Sequence, residues 1–334
     1  MRIRGSVAID LGTVNTLVWV AGRGLVLEEP SAIAVDAANG RVAAIGAAAD
    51  VLADKEPQDI KVIYPLRDGV IADMEATAEM LYGFLRKARL RGGPLHPHAL
   101  VCVPAAATWV ERRSVAAVLA ARRPRYTVQL IDEPVAAAAG AGFDLSGGAG
   151  GFIVDIGGGT TEVAAVAGWR VVRAQSLRFA GNAMDSAIIN AVRSELNIIL
   201  SPRAARQLKM TLGLTGGADG WGEAVGIDAA RRTPRIEKVP GSLVSTARTP
   251  IVNTIGRTVH EILSDIPSGL AEDVLRGKIR LSGGGALLPG LVSHIETVAE
   301  ISALVAEDPL RCVVRGAALM LDLDDKDGIP GLRQ

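Results

Sequence analysis

Aromatic residues are scarce. They make up 3% of the 334 residues, so a core must be built from Ala, Val, Leu and Ile. An excess of one charge sign is also missing: Lys+Arg and Asp+Glu both number 36. That neutrality weighs against nucleic acid as a main partner, because neutralising phosphates requires a basic footprint. The local cluster Arg122, Arg123 and Arg125 could meet an anionic surface, but reads more simply as a solvated helix end. There are two cysteines, Cys102 and Cys312, too few for a disulfide framework and without metal-ligand spacing, which points to a reducing compartment. Cys102, inside the apolar run Ala99 to Val103, is expected to be a buried small hydrophobe. No uninterrupted apolar stretch approaches the roughly 20 residues of a membrane span. A strand expected from Val7 leaves no room for a signal peptide. The chain has no GxxxxGK[ST] and no GxGxxG between strand and helix, which speaks against P-loop and dinucleotide-binding folds. Of its four histidines, His96, His98 and His260 sit in unrelated contexts and His294 falls on an expected helix face, which suggests surface or packing roles.

The hydrophobic 49% and charged 22% are those of a globular chain long enough for two cores. Short β-branched runs alternate with helical ones, predicting an α/β fold. Candidate strands include Val7–Asp10, Leu17–Val20, Ala99–Val103, Val128–Ile131, Phe152–Asp155, Val163–Val166 and Lys278–Leu281. Asp73–Leu90 has an apolar helical face through Met80, Leu81, Phe84, Leu85 and Ala88. Ser201–Leu212 reads as a helix with Ser201 as N-cap and Pro202 at its first position, ended by Gly213. The segment Thr215–Gly222 reads as a surface loop.

The informative feature is an internal repeat. Residues 7–22 read VAIDLGTVNTLVWVAG, and residues 152–168 read FIVDIGGGTTEVAAVAG. Each is a strand ending in Asp, a Gly- and Thr-containing turn, a second strand, then Gly. Asp10 and Asp155 are separated by about one domain length, which suggests two copies of one domain joined near Gly147–Gly151.

A hairpin tip rich in Gly and Thr lets backbone N–H groups converge on an anion. Gly12 and Gly157, Gly158 and Gly159 can approach phosphate oxygens without Cβ clashes. Thr13, Asn15, Thr160 and Thr161 can add hydroxyl or amide hydrogen bonds. A lone Asp would repel phosphate, so Asp10 and Asp155 make sense as partners of a hydrated Mg²⁺. The alternative, ordinary hairpin turns, is weakened by the duplication. A third cluster, Gly283, Gly284 and Gly285, follows a strand and suits either close backbone approach to a nucleoside or a plain turn. Glu133 before Pro134 could polarise water as a general base or complement a helix N-terminus.

The segments IDLGTVNTLVWVAGRGLVLEEPSAIAVD, YPLRDGVIADMEAT, VCVPAAATWVERRSV, LIDEPVAAAAGAG, VDIGGGTTEVAAVA, LSGGGALLPGL and AEDPLRCVVRGAAL run from residue 9 to residue 319. Together they resemble the MreB/Mbl branch of the actin-like ATPase superfamily, over nearly the whole chain. The resemblance implies an α/β, actin-like fold of two related halves around a nucleotide cleft. The halves would be 1–143 and 144–314, with small inserted subdomains at about 31–62 and 181–249, and 315–334 returning to the first half. It implies ATP and Mg²⁺ as cofactors, with Asp10 and Asp155 at the metal. Gly12, Thr13, Val14, Asn15, Gly157, Gly158, Gly159 and Thr160 would hold phosphates. Gly181, Arg206, Lys209, Gly283, Gly284, Gly285 and Ala286 would hold the nucleoside, and Glu133 would orient water. Asp68 and Asp73 fall in a segment near the terminal phosphate, without assigned contacts.

The resemblance further implies weak ATPase activity and homopolymer filaments. These would lie at the inner face of the bacterial cytoplasmic membrane, work with cell-wall synthesis and membrane morphogenesis proteins, and involve no nucleic acid. Three departures matter. Arg206 stands where the family carries Glu, and Asn182 where it carries Asp, so a weaker nucleoside site is expected. The loop Gly92–His98 offers the membrane only Leu95, worth roughly 1.5–3 kcal/mol when buried, so lipid binding should need a filament's avidity. A small-molecule kinase would need a second pocket, and a chaperone a peptide-binding domain. A paralogue that binds nucleotide without hydrolysing or polymerising stays open.

Overall fold

The computed structural model describes residues 6–55, 57–89, 98–120, 126–212 and 220–324. The chain opens with three antiparallel strands, β1 (Val7–Leu11), β2 (Asn15–Val20) and β3 (Gly24–Pro30). A small antiparallel sheet follows, formed by β4 (Ile33–Asp36), β5 (Val42–Ile45) and β6 (Ile60–Ile63), with α1 (Ala47–Ala53) between the last two. The short hairpin of β7 (Leu66–Arg67) and β8 (Val70–Ile71) leads into α2 (Met74–Lys87). Asp73 caps that helix, accepting from the Ala76 N–H at 2.9 Å. Next come β9 (His98–Val103), α3 (Trp109–Ala120), β10 (Thr127–Asp132) and α4 (Glu133–Gly140).

The second half repeats this plan. Strands β11 (Gly150–Ile156), β12 (Thr161–Ala167) and β13 (Arg170–Leu177) are again antiparallel. Helix α5 (Gly181–Leu196), β14 (Ile198–Leu200), α6 (Pro202–Leu212), β15 (Trp221–Asp228) and β16 (Pro234–Pro240) make the second small unit. The Ser201 hydroxyl caps α6 by accepting from the Ala204 N–H at 3.2 Å. The chain returns through α7 (Gly241–Ser264), α8 (Ala271–Gly277), β17 (Ile279–Ser282), α9 (Leu291–Ala299), β18 (Ala303–Val305) and α10 (Cys312–Asp324).

The two main sheets have the same topology. One runs β10-β9-β1-β2-β3, and the other, read from its far edge, β18-β17-β11-β12-β13. Strands β9 and β17 are parallel to β1 and β11. Both sheets are covered on both faces, so their central strands are near-continuous apolar runs. One face of the first sheet packs Val7, Ile9 and Val101 against α2 and α3. One face of the second packs Phe152 and Val154 against α7 and α9. The remaining faces, carrying Ala8, Leu100, Ile153 and Ala164, enclose α4 and α10.

That central helix pair explains why small residues dominate α4. A Cβ on Gly140 would collide with the Cys312 carbonyl, and one on Gly316 with the Ala136 carbonyl. The backbones of α4 and α10 therefore meet directly, and only glycine permits the approach. Gly151, inside β11, lies under the Phe143 ring for the same reason.

Candidate nucleotide site

Both Asp-headed turns reach one cleft, which encloses about 380 Å³. Asp10 ends its half's first strand one residue before Leu11, and Asp155 stands in the matching place on β11. The turn tips pack against each other. A Cβ on Gly159 would lie 2.5 Å from Thr13 Oγ1, and one on Gly158 would overlap the Val14 side chain. The two turns therefore meet so closely at their tips that a side chain at Gly158 or Gly159 would not fit between them. The β7–β8 hairpin spans both tips. The Gly69 N–H donates to Thr13 Oγ1 at 3.1 Å, and a Cβ there would sit 2.6 Å from Thr160 Cγ2. Gly69 also has φ 78°, so glycine is required twice over.

Carboxylates concentrate at the cleft floor. Burial, then the Asp155 charge, pushes Asp10 up to about 7. Burial also raises Asp155, offset by the Ser282 hydroxyl, which donates to Asp155 Oδ1 at 2.6 Å. Glu133, the first residue of α4, is 8% exposed and lines the cleft. Burial lifts it well above the carboxylate range, with Glu162, Asp10, Asp155 and Asp132 adding to the rise. Shifts of this kind mark carboxylates that lack a compensating cation. A divalent ion between Asp10 and Asp155 would supply one, so the residues present fit Mg²⁺.

A family model described as MreB/Mbl protein matches residues 4–328. The chain is 35% identical to the cell shape-determining protein Mbl of Bacillus subtilis strain 168, with 96% of each chain covered. Its fold superposes on MreB5 of Spiroplasma citri bound to AMPPNP with a TM-score of 0.90, at 30% identity and 98% coverage of both chains. It also matches a MamK double helical filament, with a TM-score of 0.80, 21% identity, and 95% and 99% of the two chains covered, which bears on the fold alone. The chain belongs to the MreB/Mbl family. Its fold is accordingly the actin-like one, and its family is that of the cell shape-determining actin homologues.

In this MreB/Mbl chain the residues expected on the nucleoside side divide in two. Lys209, on α6, reaches back to α5: its ammonium lies 2.7 Å from Asp185 Oδ1 and donates to the Gly181 carbonyl at 2.8 Å. Burial lowers the Lys209 pKa, and Asp185 partly restores it. Arg206, a turn earlier, holds the other oxygen of Asp185 at 3.4 Å. Asp185 is thus shared by two cations, leaving this wall with excess positive charge. Asn182 also lines the cleft, and its N–H donates to the Gly158 carbonyl at 2.8 Å, tying α5 to the second turn.

Of the site residues expected from the sequence, all but Thr161 and Ala286 line the cleft; the Thr161 hydroxyl is buried and donates to the Phe179 carbonyl at 3.0 Å. Ala286 is 2% exposed and packs in the second-half core. The third glycine cluster is a packing device as well as a wall. A Cβ on Gly283 would collide with the Ile156 carbonyl, and one on Gly285 with the Ile156 side chain. A single helical turn at Gly284–Leu287 follows. Beside it, Met210, Leu287 and Leu310 form an apolar slot open to solvent, with exposures of 43%, 44% and 49%. Glu28 closes the floor and is bound by Arg311 at 2.9 and 2.8 Å. Ser282, Gly69, Glu28 and the slot are not among the residues expected from the sequence. Leu95 and the basic cluster lie outside the described residues.

Proposed function

We propose that this MreB/Mbl chain binds Mg²⁺·ATP in the cleft and assembles into filaments beneath the cytoplasmic membrane, where they organise cell-wall synthesis. The observation that carries this reading is the convergence of two duplicated Asp-headed turns, glycine-floored and in contact, on one cleft with an apolar slot. The amides of residues 12–15 and 158–160 would bind the phosphates, and Asp10 and Asp155 would hold the ion through its waters. When bound, Mg²⁺ would screen phosphate charge and offset the carboxylates around it. Met210, Leu287 and Leu310 offer faces for a base. Lys209 and Gly181 frame the wall between base and phosphates.

Glu133, which lines the cleft, would orient an attacking water, and with its proton drawn off it would accept one as a general base. Self-assembly is supported by the fold shared with the MamK filament and by MreB/Mbl family membership. Weak membrane contact would come from the segment around Leu95, amplified in a polymer. Among the described residues no helix is long and apolar enough to cross a membrane.

Sedimentation with Mg²⁺·ATP, alongside phosphate release and a Glu133→Ala control, tests this reading. Pelleting of both proteins, with phosphate release confined to wild type, is the expected result. Pelleting without any phosphate release would favour a binding-only filament. Phosphate transfer to a small acceptor would replace the reading with a kinase.

A further inference from the structure

Glu162 is fully buried, and neither the phosphate turns nor the proposed chemistry accounts for it. It sits two residues beyond Thr160, on β12, directly opposite Asp155 on β11. Directly opposed residues of an antiparallel pair project from the same face, so the two carboxylates are neighbours. Its Oε2 accepts from two donors on different halves of the molecule: Ser176 Oγ on β13 at 2.8 Å, and the Ala105 N–H beyond β9 at 3.3 Å. Its Oε1 is enclosed and has no partner among the described residues. A buried carboxylate left half-satisfied is costly as packing alone.

The contact continues into the first half. Ser176 Oγ, while donating to Glu162, accepts from the Ala106 N–H at 3.2 Å. Two residues on, Thr108 and Glu111 form a reciprocal cap on α3: the Thr108 N–H donates to Glu111 Oε2 at 2.7 Å, and the Glu111 N–H to Thr108 Oγ1 at 3.3 Å. The other oxygen of Glu111 is held by Arg178, just past β13, at 3.0 Å. The first turn of α3 is therefore seated on strands β12 and β13 of the opposite half. That turn presents Trp109 and Val110 to solvent, at 69% and 65% exposure.

We propose that Glu162 and Ser176 are positioning residues that relay the state of the second phosphate turn to the N-terminus of α3. The relay rests on the reading of the cleft as a Mg²⁺·nucleotide site. A ligand that moves residues 157–160 moves Glu162 with them, because the strand begins immediately after the turn. Glu162 and Ser176 then carry Ala105 and Ala106, and with them the seat of α3. The exposed face of α3 becomes a surface whose presentation depends on the nucleotide.

The test is amide hydrogen exchange over residues 104–112, with and without Mg²⁺·AMPPNP, at a concentration where the chain sediments as a monomer. In wild type, ligand should slow exchange there by about threefold or more, as expected when a local opening is suppressed. Ser176→Ala removes the hydroxyl shared by Glu162 and Ala106, and Ala106 is exposed, so folding should tolerate it. This variant should bind Mg²⁺·AMPPNP within about twofold of wild type yet lose the response at 104–112, since the relay and not the site is cut. Ser176→Thr, which keeps a hydroxyl, should restore it. Glu162→Gln, which keeps the shape and removes the charge, should blunt it without abolishing ligand binding. A full response in Ser176→Ala overturns the proposal, as does a wild type that binds ligand without change at 104–112. A wild type that binds no Mg²⁺·AMPPNP would bring down the reading of the cleft, and the relay with it.

Discussion

Ser282 donates its hydroxyl to Asp155 at 2.6 Å, and the residue in the equivalent position beside Asp10 is Cys102. The equivalence is a matter of register: Asp155 stands opposite Ser282 on a parallel strand pair, and Asp10 opposite Cys102 on the matching pair. The duplication has therefore kept two carboxylates and changed their support. A hydroxyl stabilises the ionised form of Asp155, whereas a buried thiol is a poor donor. Burial and the surrounding carboxylates push the Cys102 thiol itself well up. Among the described residues no hydrogen-bond donor reaches the Asp10 side chain.

This asymmetry makes stability depend on pH. Asp10 and Glu162 are each pushed up to about 7, in both cases chiefly by burial. A carboxylate whose folded pKa is raised contributes stability below its unfolded pKa and loses it as pH rises through the folded one. The nucleotide-free protein should thus melt highest near about pH 5 and progressively lower up to about pH 8. Mg²⁺·AMPPNP should stabilise most at the upper end, where the carboxylates it meets are already ionised. Asp10→Asn should flatten the nucleotide-free profile. Scanning fluorimetry across this range decides it, and a melting temperature that climbs from pH 5 to 8 in the nucleotide-free protein would be the contrary result.

Exchanging the two supports is a second test. Ser282→Ala removes one hydrogen bond to an ionised carboxylate, worth roughly 1.5–3 kcal/mol. Mg²⁺-dependent nucleotide affinity should fall about tenfold or more, and the fall should be larger at pH 6 than at pH 8. Cys102→Ser should act oppositely, giving Asp10 a donor and shifting the pH dependence of binding downward. Calorimetry at the two pH values reads both. Equal affinities for Ser282→Ala and wild type at both would show that Asp155 does not engage the ion.

Much of this was legible in sequence because it is local. The Asp-Gly turns, the capped start of α6 and the face of α2 are each set by residues within one element. The missing parts are matters of long-range register. Ser282 meets Asp155 across 127 positions, and Gly69 meets Thr13 across 56, separations that carry no periodic signal. Strand β15 is hidden differently. Its buried positions are Gly222, Ala224, Gly226 and Asp228, while Trp221, Val225 and Ile227 face outward. Alternation is present, but its polarity is the reverse of an ordinary half-buried strand. Ala286 lies away from the cleft lining, and two of the three glycines before it approach Ile156, a long-range packing that a glycine cluster does not announce.

The α4–α10 crossing predicts a steep stability cost. Gly316→Ala places a methyl against the Ala136 carbonyl, which is backbone and cannot swing aside. Overpacking of this kind costs typically 1–3 kcal/mol and occasionally more, and the helices can relieve it only by separating the two main sheets. Gly269→Ala, where nothing lies within 4 Å of the added carbon, is the matched control and should be close to neutral. Urea denaturation of the two variants should therefore differ in midpoint with little change in slope. Equal midpoints would mean that the crossing is looser than the structure has it.

The nucleoside wall carries the last prediction. Arg206 occupies an oxygen of Asp185 that Lys209 does not use, and its own side chain is 49% exposed at the cleft. A guanidinium donates and cannot accept, so this position offers no partner to the protons of ribose hydroxyls. With Asn182 neutral as well, Asp185 is the acidic group behind Arg206 and Lys209, and it is engaged twice. Nucleotide affinity should accordingly be modest. Arg206→Glu releases one Asp185 oxygen and adds an acceptor, while Lys209 stays between the two carboxylates through its bonds to Asp185 and the Gly181 carbonyl. A gained hydrogen bond of roughly 1–1.5 kcal/mol would tighten Mg²⁺·ATP about five- to tenfold. Arg206→Gln, which can both donate and accept, should fall between the two. The gain should vanish with a 2′,3′-dideoxy nucleotide, which has no hydroxyl to donate. Calorimetry that finds the same gain with the dideoxy compound would assign the effect to charge at the cleft mouth instead of to ribose recognition.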